Sequence, residues 1–435
     1  MNASNLTLAA SFLLAAATPA FGDFISGADF SDVAYFQSQG VSYLDGGVPQ
    51  AEPLTILKNH GLTCVRLRLW TSSAAQALSN PYNNINNMDY TVPLAVRVKN
   101  AGLQFMLGFH YSDTWADPGH QSIPAAWTNL TFTQLVQQMH DYNSNCIVQF
   151  STNGAMPDIV EVGNEITGGM LWPYGAVTNP IHAFQQWSQL AQLIDSAIQG
   201  IKDGAGTNPL PKFVIHIDRG GDWNGTKYFF DNLIFSQHVS FDVIGESYYP
   251  LYHGPLSGLI TCLTNAAVRY NKPMIVAETD FPWTWYPSTT NLFGIQSTTN
   301  GQVQFTAALA QVVRGVPGNL GAGIFWWGTE YEQVAAANQA GIGNRSFFDS
   351  GGNVLPVADA FGSLVAPLDV SAAMTGGSLT LSWPLSGAGM LLMSTTNLAP
   401  PVWLNVTNTI QNTGTLFNAT VPIGTDSSFY RLQSR

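Results

Sequence analysis

The chain has 435 residues, too many for one average domain, although a single α/β barrel can occupy well over half of that length. Fifteen Lys and Arg stand against 27 Asp and Glu, and the net charge of -12 argues against nucleic acid or an anionic membrane as partner. Only 10% of residues are charged while 12% are aromatic, a balance that lines clefts with uncharged polar groups and rings and suits neutral, ring-stacking ligands such as sugars.

In chain order, residues 6–17 form an apolar core followed by Thr18-Pro19-Ala20-Phe21-Gly22, where Ala20 and Gly22 give a small-x-small cleavage pattern. Residues 1–22 are therefore expected to be a secretory signal and the protein to be secreted, extracellular or periplasmic, although no Lys or Arg precedes the apolar core. No later stretch reaches the ~20 uninterrupted apolar residues that a bilayer span needs. Cys64, Cys146 and Cys262 are too few and too scattered for a disulfide framework or a zinc site; Cys64 opens an apolar strand as a core thiol, and at most one bridge could form.

From residue 23, strand-like apolar runs recur at 24–30, 64–70, 104–111, 159–165, 213–218, 241–248, 274–278 and 323–327, each closing on polar or aromatic residues. Helical spacing fills the gaps at 54–61, 92–101, 132–142 and 184–200, and Gly61, Gly102 and Gly200 stand where helix-terminating glycines belong. Eight near-continuous hydrophobic strands alternating with helices predict a (β/α)8 barrel. An open doubly wound sheet is the rival, but no Gly-x-Gly-x-x-Gly turn follows the first strand.

After Phe361 the texture changes. Residues 366–435 contain no His, Glu or Lys and alternate with period two at 379–383 and 416–421, which predicts a small antiparallel β-sandwich. The boundary falls near Ala366-Pro367. The expected organisation is thus a signal over 1–22, the barrel over 23–365 and an accessory sandwich over 366–435.

A barrel carries its site at the C-terminal ends of its strands. Those ends supply Asp29; Arg66 and Arg68; His110 with Tyr111 and Asp113; Asn164 with Glu165; Asp218; Glu246 with Tyr248; Glu278; and Trp326 with Trp327. Alternation puts Arg66 and Arg68 on one face, Glu165 above Glu161, and Glu278 on the face of Val276 and Met274. Two carboxylates across a pocket are the minimum machinery for cleaving a glycosidic bond, one protonated and one ionised, and strands four and seven lie nearly opposite in an eight-stranded ring. The plain alternatives stand beside this. A Glu at a strand end is usually solvated or ion-paired; Glu246, Asp29, Asp113 and Asp218 compete at similar depth; a lone His110 is more often a satisfied core histidine; Arg68 is an ion-pair partner that orients a carboxylate; Trp326 and Trp327 are either packing or a sugar platform. No paired His or Cys ligand spacing and no Gly-x-Ser-x-Gly elbow is present.

Taken together, Gly27-Ala28-Asp29-Phe30-Ser31, Val65-Arg66-Leu67-Arg68-Leu69-Trp70, the segment 108–119 beginning Gly108-Phe109-His110-Tyr111, Val162-Gly163-Asn164-Glu165-Ile166, Ser247-Tyr248-Tyr249-Pro250 and Val276-Ala277-Glu278-Thr279 resemble glycoside hydrolase family 53. The likeness runs in order over about residues 24–363. The family comprises endo-β-1,4-galactanases that cut the galactan side chains of type I arabinogalactan. The resemblance implies a retaining mechanism with Glu165 as general acid/base and Glu278 as nucleophile. It further implies that Asn164 binds the sugar 2-hydroxyl, Arg68 and Tyr248 orient the nucleophile, His110 and Asp113 belong to the floor and rim of the central subsites, and Trp327 underlies the sugar being cleaved. Two features depart from the family pattern: Gly328-Thr329-Glu330 follows Trp327 in place of an acidic residue and Pro, and Glu246 precedes Ser247 where an uncharged residue is usual. No Asp-rich calcium loop is present, so no metal and no cofactor is expected. The implied partner is a polysaccharide, acted on by a monomer. The rivals are a hydrolase of the same clan acting on mannan or another hemicellulose, and a barrel that binds glycans without cutting them. In the accessory sandwich, Trp383 and Trp403 are the residues through which sugar could bind, against a plainer role as a stabilising appendage.

Overall fold

The runs rich in Val, Ile and Leu become strands buried on both faces, as parallel strands wrapped by helices must be. The computed structural model describes residues 23–177, 183–284, 291–331, 343–424 and 427–433; the secretory-signal reading of residues 1–22 lies outside them. The barrel strands are β1 (Ile25–Asp29), β2 (Cys64–Leu69), β3 (Gln104–Phe109), β4 (Ile159–Val162), β5 (Lys212–Ile217), β6 (Val243–Ser247), β7 (Met274–Thr279) and β8 (Gly321–Trp326). Each pairs in parallel with its neighbours in sequence, and β1 pairs with β8 from Ile25 opposite Gly323, closing the ring. A helix follows every strand: α1 (Leu54–Asn59), α2 (Met88–Asn100), α3 (Phe132–Thr152), α4 (Ala183–Ala205), α5 (Trp223–Phe230), α6 (Leu256–Tyr270), α7 (Thr299–Arg314) and α8 (Val357–Ser363). This is the expected (β/α)8 barrel.

Inside the ring, Ile25, Cys64, Met106, Ile159, Val214, Val243, Ile275, Ala277, Ala322 and Phe325 pack into one apolar cluster. Large and small residues interlock there: a Cβ on Gly27 would collide with the Phe325 ring. A larger apolar layer lies between the barrel and its helices. Above the inner cluster the lining turns polar, with Arg66, Glu161 and His216 all fully buried. All three cysteines are buried and free. No helix among the described residues is long and apolar enough to cross a membrane.

Two expectations are corrected. Gly61 and Gly102 do take positive φ at helix ends, but Gly200 lies inside α4, which runs on to Ala205. Gly200 and Gly204 serve packing: a Cβ at either would strike the backbone of α3, at the His140 and Ser144 carbonyl oxygens respectively. The second correction concerns β7. Its pairing slips against both neighbours near Ala277 and Glu278, so the simple alternation breaks there. Ile275 and Ala277 face the barrel interior while Met274 and Val276 pack outward, and Glu278 nevertheless turns inward to reach Arg66. Glu278 therefore does not share the face of Val276 and Met274.

The C-terminal strands form two antiparallel sheets: Ser371–Thr375, Ser378–Pro384, Leu416–Pro422 and Ile410–Asn412 in one, and Leu404–Asn405, Leu391–Thr395 and Phe429–Gln433 in the other. Leu381, Trp383, Leu392, Phe417 and Ala419 are buried between them. This sheet pair leans on the barrel near α7 and α8, where Ser363 Oγ donates to the Thr415 carbonyl at 2.6 Å and accepts from the Leu385 N–H at 3.1 Å.

Candidate active site

At the C-terminal mouth of the barrel lies a cleft of about 400 Å³, within the range of small-molecule sites, lined by Glu165, Glu278, Asn164, His110, Trp115 and Trp327 among others. Strand β4 ends at Val162, and Gly163 and Glu165 both take positive φ (85° and 48°), so a left-handed backbone, and not strand alternation, brings Glu165 to the cleft. Its Oε1 accepts a hydrogen bond from Ser247 Oγ at 2.6 Å, and among the described residues no salt bridge reaches it. Burial first, then the facing Glu278 and Asp218 charges, push the Glu165 carboxyl well above the usual carboxylate range, against the opposing pull of Ser247 and Arg66.

Glu278 has a different environment. Arg66 Nη1 donates to its Oε1 at 2.8 Å and the Tyr249 hydroxyl to its Oε2 at 2.7 Å. The same guanidinium holds Asp29 at 3.0 Å, grips both Glu161 oxygens at 2.7 and 2.9 Å, and donates to Asn164 Oδ1 at 2.7 Å. Burial alone would raise the Glu161 pKa, but the Arg66 charge, together with hydrogen bonds from His216 and Arg66, holds it well below the carboxylate range. Two carboxyl groups thus face one cleft. One has no cation against it and its pKa raised, whereas the other is clamped by a guanidinium and a phenol.

The glycosyl hydrolase family 53 profile matches residues 25–361, the whole barrel. The chain belongs to this family. The family 53 chain is 38% identical over 321 residues to the probable arabinogalactan endo-β-1,4-galactanase A of Neosartorya fischeri, covering 71% of this chain and 85% of that one. Among solved structures, a fungal β-1,4-galactanase superposes with a TM-score of 0.68 at 33% identity, over 77% of this chain and 98% of its own. The family 53 catalytic domain of Ignisphaera aggregans does so with a TM-score of 0.69 at 32% identity, over 79% and 97%. The protein is a glycoside hydrolase.

Within this family 53 barrel the residues singled out in the sequence part company. Asn164 lines the cleft; its Nδ2 donates to the Ala116 carbonyl at 2.7 Å and keeps a second hydrogen for a ligand. His110 is held by the same residue: its Nδ1 accepts the Ala116 N–H at 3.1 Å, which leaves the ring proton on Nε2, a buried atom with no protein partner. Burial, then Arg66, lower the His110 pKa well below the usual value, so the ring is a neutral donor. Trp327 forms one wall, stacked on Tyr331 at 5.3 Å, and its ring lies 6.4 Å from Trp115. Trp326 is core packing, fully buried with its Nε1 donating to the Arg345 carbonyl.

Three expected roles change. Arg68 does not touch Glu278; it is bound to Asp32 at 2.8 Å and Asp29 at 3.4 Å and lies 4.4 Å from the Trp115 ring centre, so it supports an aromatic wall. Tyr248 is buried and spends its hydroxyl on the Gly254 carbonyl, while the next residue, Tyr249, reaches Glu278. Asp113 accepts from Thr71, Gln76 and the Ala125 N–H, which uses its carboxylate to tie loops together behind the cleft. Of the competing carboxylates, Asp29 sits under the two arginines, and Glu246 points outward against Thr226 of α5 and Cys262 of α6. Glu330, in the segment that departs from the family pattern, is buried below the cleft, taking the Asp32 N–H at 2.6 Å. The sequence reading missed Arg66 as the clamp on Glu278, Tyr249, Trp115, Ser247 and His216. Ser247 and Tyr249 stood inside a quoted motif, and their strand-end position was the available signal.

Proposed function

We propose that the protein is a retaining endo-β-1,4-galactanase acting on the galactan side chains of type I arabinogalactan, with Glu165 as general acid/base and Glu278 as nucleophile. The observation that carries this reading is the contrast between the two carboxyl groups facing one cleft, the arrangement by which a glycosidase separates an acid from a nucleophile. In the first step a Glu278 oxygen bonds to the anomeric carbon while Glu165 gives its proton to the departing glycosidic oxygen. In the second, the Glu165 carboxylate takes a proton from water as that water displaces Glu278, restoring both groups. Asn164 Nδ2 and His110 Nε2 are the free donors for sugar hydroxyls, and Trp115 and Trp327 supply apolar walls for pyranose faces. The galactan preference rests on the names of the family relatives at 34–38% identity.

Every group in this site comes from one chain, which fits a monomer. Residues 23–365 carry the chemistry, and the sandwich of 366–435 is a stabilising appendage. Trp383 is buried against Phe417 and cannot meet a sugar, and Trp403 is half covered by Arg431 at 4.2 Å. A polymer too large to cross a membrane is met outside the cell, in keeping with the signal-like residues 1–22.

The test is reducing-sugar release from unbranched β-1,4-galactan beside mannan, xylan and cellulose, with Glu165→Gln and Glu278→Gln as controls. Activity confined to galactan and reduced about a hundred-fold or more in both variants is the expected result. Release from mannan or xylan instead moves the protein to another specificity, and folded protein that binds galactan without cutting it points to a binding barrel.

A further inference from the structure

Below Glu165 runs a chain of buried polar groups that the two-carboxylate mechanism leaves unused. Ser247 Oγ lies 2.6 Å from Glu165 Oε1 and 2.8 Å from His216 Nε2, and His216 Nδ1 lies 2.6 Å from Glu161 Oε1. Ser247, His216 and Glu161 are all fully buried, on β6, β5 and β4. Glu161 is also the anchor of Arg66, the clamp on Glu278, so the chain begins at one carboxyl of the cleft and ends at the support of the other. Glu161 offers only acceptors, which fixes a proton on His216 Nδ1 and turns Nε2 toward Ser247.

A serine hydroxyl has one hydrogen. Ser247 can give it to Glu165 or to His216, never to both. We propose that Ser247, held by His216 and Glu161, is a positioning relay that follows the proton on Glu165 through the two halves of the reaction. When Glu165 is a carboxylic acid its proton sits on Oε2, toward the leaving oxygen; Oε1 is then a neutral carbonyl oxygen and a weak acceptor, and the Ser247 hydrogen turns to His216 Nε2. Once Glu165 has passed its proton to the leaving oxygen, the Ser247 hydrogen swings to the new carboxylate at the expense of its bond to His216. It swings back when Glu165 takes a proton from the attacking water. No proton leaves Ser247, and the carboxyl stays aimed in both states. His216 competes with Glu165 for the hydrogen, so the two neighbours act on the acid in opposite senses. The inference rests on the reading of Glu165 as acid/base.

The other charged and titratable groups facing this chain are Glu278, Asp218, Arg66 and Tyr249 around Glu165, and His110 beside His216. None of them changes in the test. The pH dependence of kcat/KM on β-1,4-galactan is measured for the wild type, Ser247→Ala and His216→Phe, with Tm recorded for each. Loss of the Ser247 donor leaves the Glu165 carboxylate less stabilised, so the alkaline limb moves up by about half a pH unit or more. Loss of the His216 acceptor frees the Ser247 hydrogen for Glu165, and the limb moves down by a similar amount, with KM little changed in both. Ser247→Ala removes a single oxygen atom and keeps the idea testable if His216→Phe fails to fold. Limbs that stay at the wild-type pH while only Tm falls, or limbs that move in the same direction, overturn the relay. Glu165→Ala, assayed alongside on an aryl galactoside with a good leaving group, separates the two failures. An alkaline limb that survives Glu165→Ala sinks the acid/base assignment itself, whereas a limb lost there but unmoved in Ser247→Ala sinks only the relay.

Discussion

Tyr248 and Tyr249 are adjacent in sequence, yet one hydroxyl is bound to the Gly254 carbonyl among apolar side chains and the other to Glu278 in the cleft. Their phenylalanine variants should therefore diverge. Tyr249→Phe removes a donor from a charged acceptor, worth roughly 1.5–3 kcal/mol, so kcat should fall about ten- to a hundred-fold with Tm little changed. Tyr248→Phe should leave kcat alone and cost about 1 kcal/mol of stability in denaturant titration. Equal losses of activity in both would contradict the placement of Tyr249. Glu246 makes a separate prediction. Its carboxyl, buried among Thr226, Cys262 and the Arg219 N–H, is pushed up to about 8, by burial first, with Asp218 adding to it, from 4.5 in the unfolded chain. Between those values the native state holds the proton that the unfolded state has released, so this contribution to stability is fully present below about 4.5, is lost as pH rises toward 8, and then levels off. Urea unfolding of the wild type and Glu246→Gln at several pH values should show a few kcal/mol of that slope vanish in the variant; parallel pH profiles would show that Glu246 titrates alike in the folded and unfolded chains.

At the scale of elements, most of the architecture was written in hydrophobic period. Eight buried runs and the helical spacing between them were sufficient for the closed ring, because strands wrapped on both faces leave near-continuous apolar sequence. The site was only half legible. Glu165 and Glu278 stood at strand ends, but what brings them together is local backbone, the positive φ of Gly163 and Glu165 and the slip in β7, which alternation does not encode. Arg66 and Arg68 share a face one layer apart, so the choice of which one clamps Glu278 belongs to depth within the barrel. Gly200 misled for a related reason: the demand for a missing side chain comes from the neighbouring helix α3, not from its own helix end. Gly200→Ala should accordingly destabilise the barrel by about 1–3 kcal/mol, read as a lowered denaturation midpoint, while a helix-capping role would predict a much smaller change for this helical backbone.

At the scale of the whole molecule, the solved galactanase that aligns over 98% of its own length covers only 77% of this chain, so a barrel of this family stands without the sandwich. The two parts nonetheless meet closely: a Cβ on Gly414 would collide with Val303 of α7, and Ser363 of α8 is bonded to Thr415 and Leu385. Removing residues 366–435 should leave kcat/KM on soluble galactan unchanged and lower Tm by several degrees, because Val303 loses its cover and Ser363 both of its partners. Activity lost at unchanged Tm would instead give the sandwich a part in substrate capture.

The central claim is the division of labour between Glu165 and Glu278. Its most direct test is trapping with a 2-deoxy-2-fluoro-β-galactoside that carries a dinitrophenyl leaving group, followed by intact-mass and peptide mass spectrometry. The account predicts one sugar per chain, attached to Glu278 in the peptide that contains Ala277-Glu278-Thr279, with labelling abolished in Glu278→Gln. A label on Glu165 or Asp280, or turnover that inverts the anomeric centre without any covalent adduct, would contradict it.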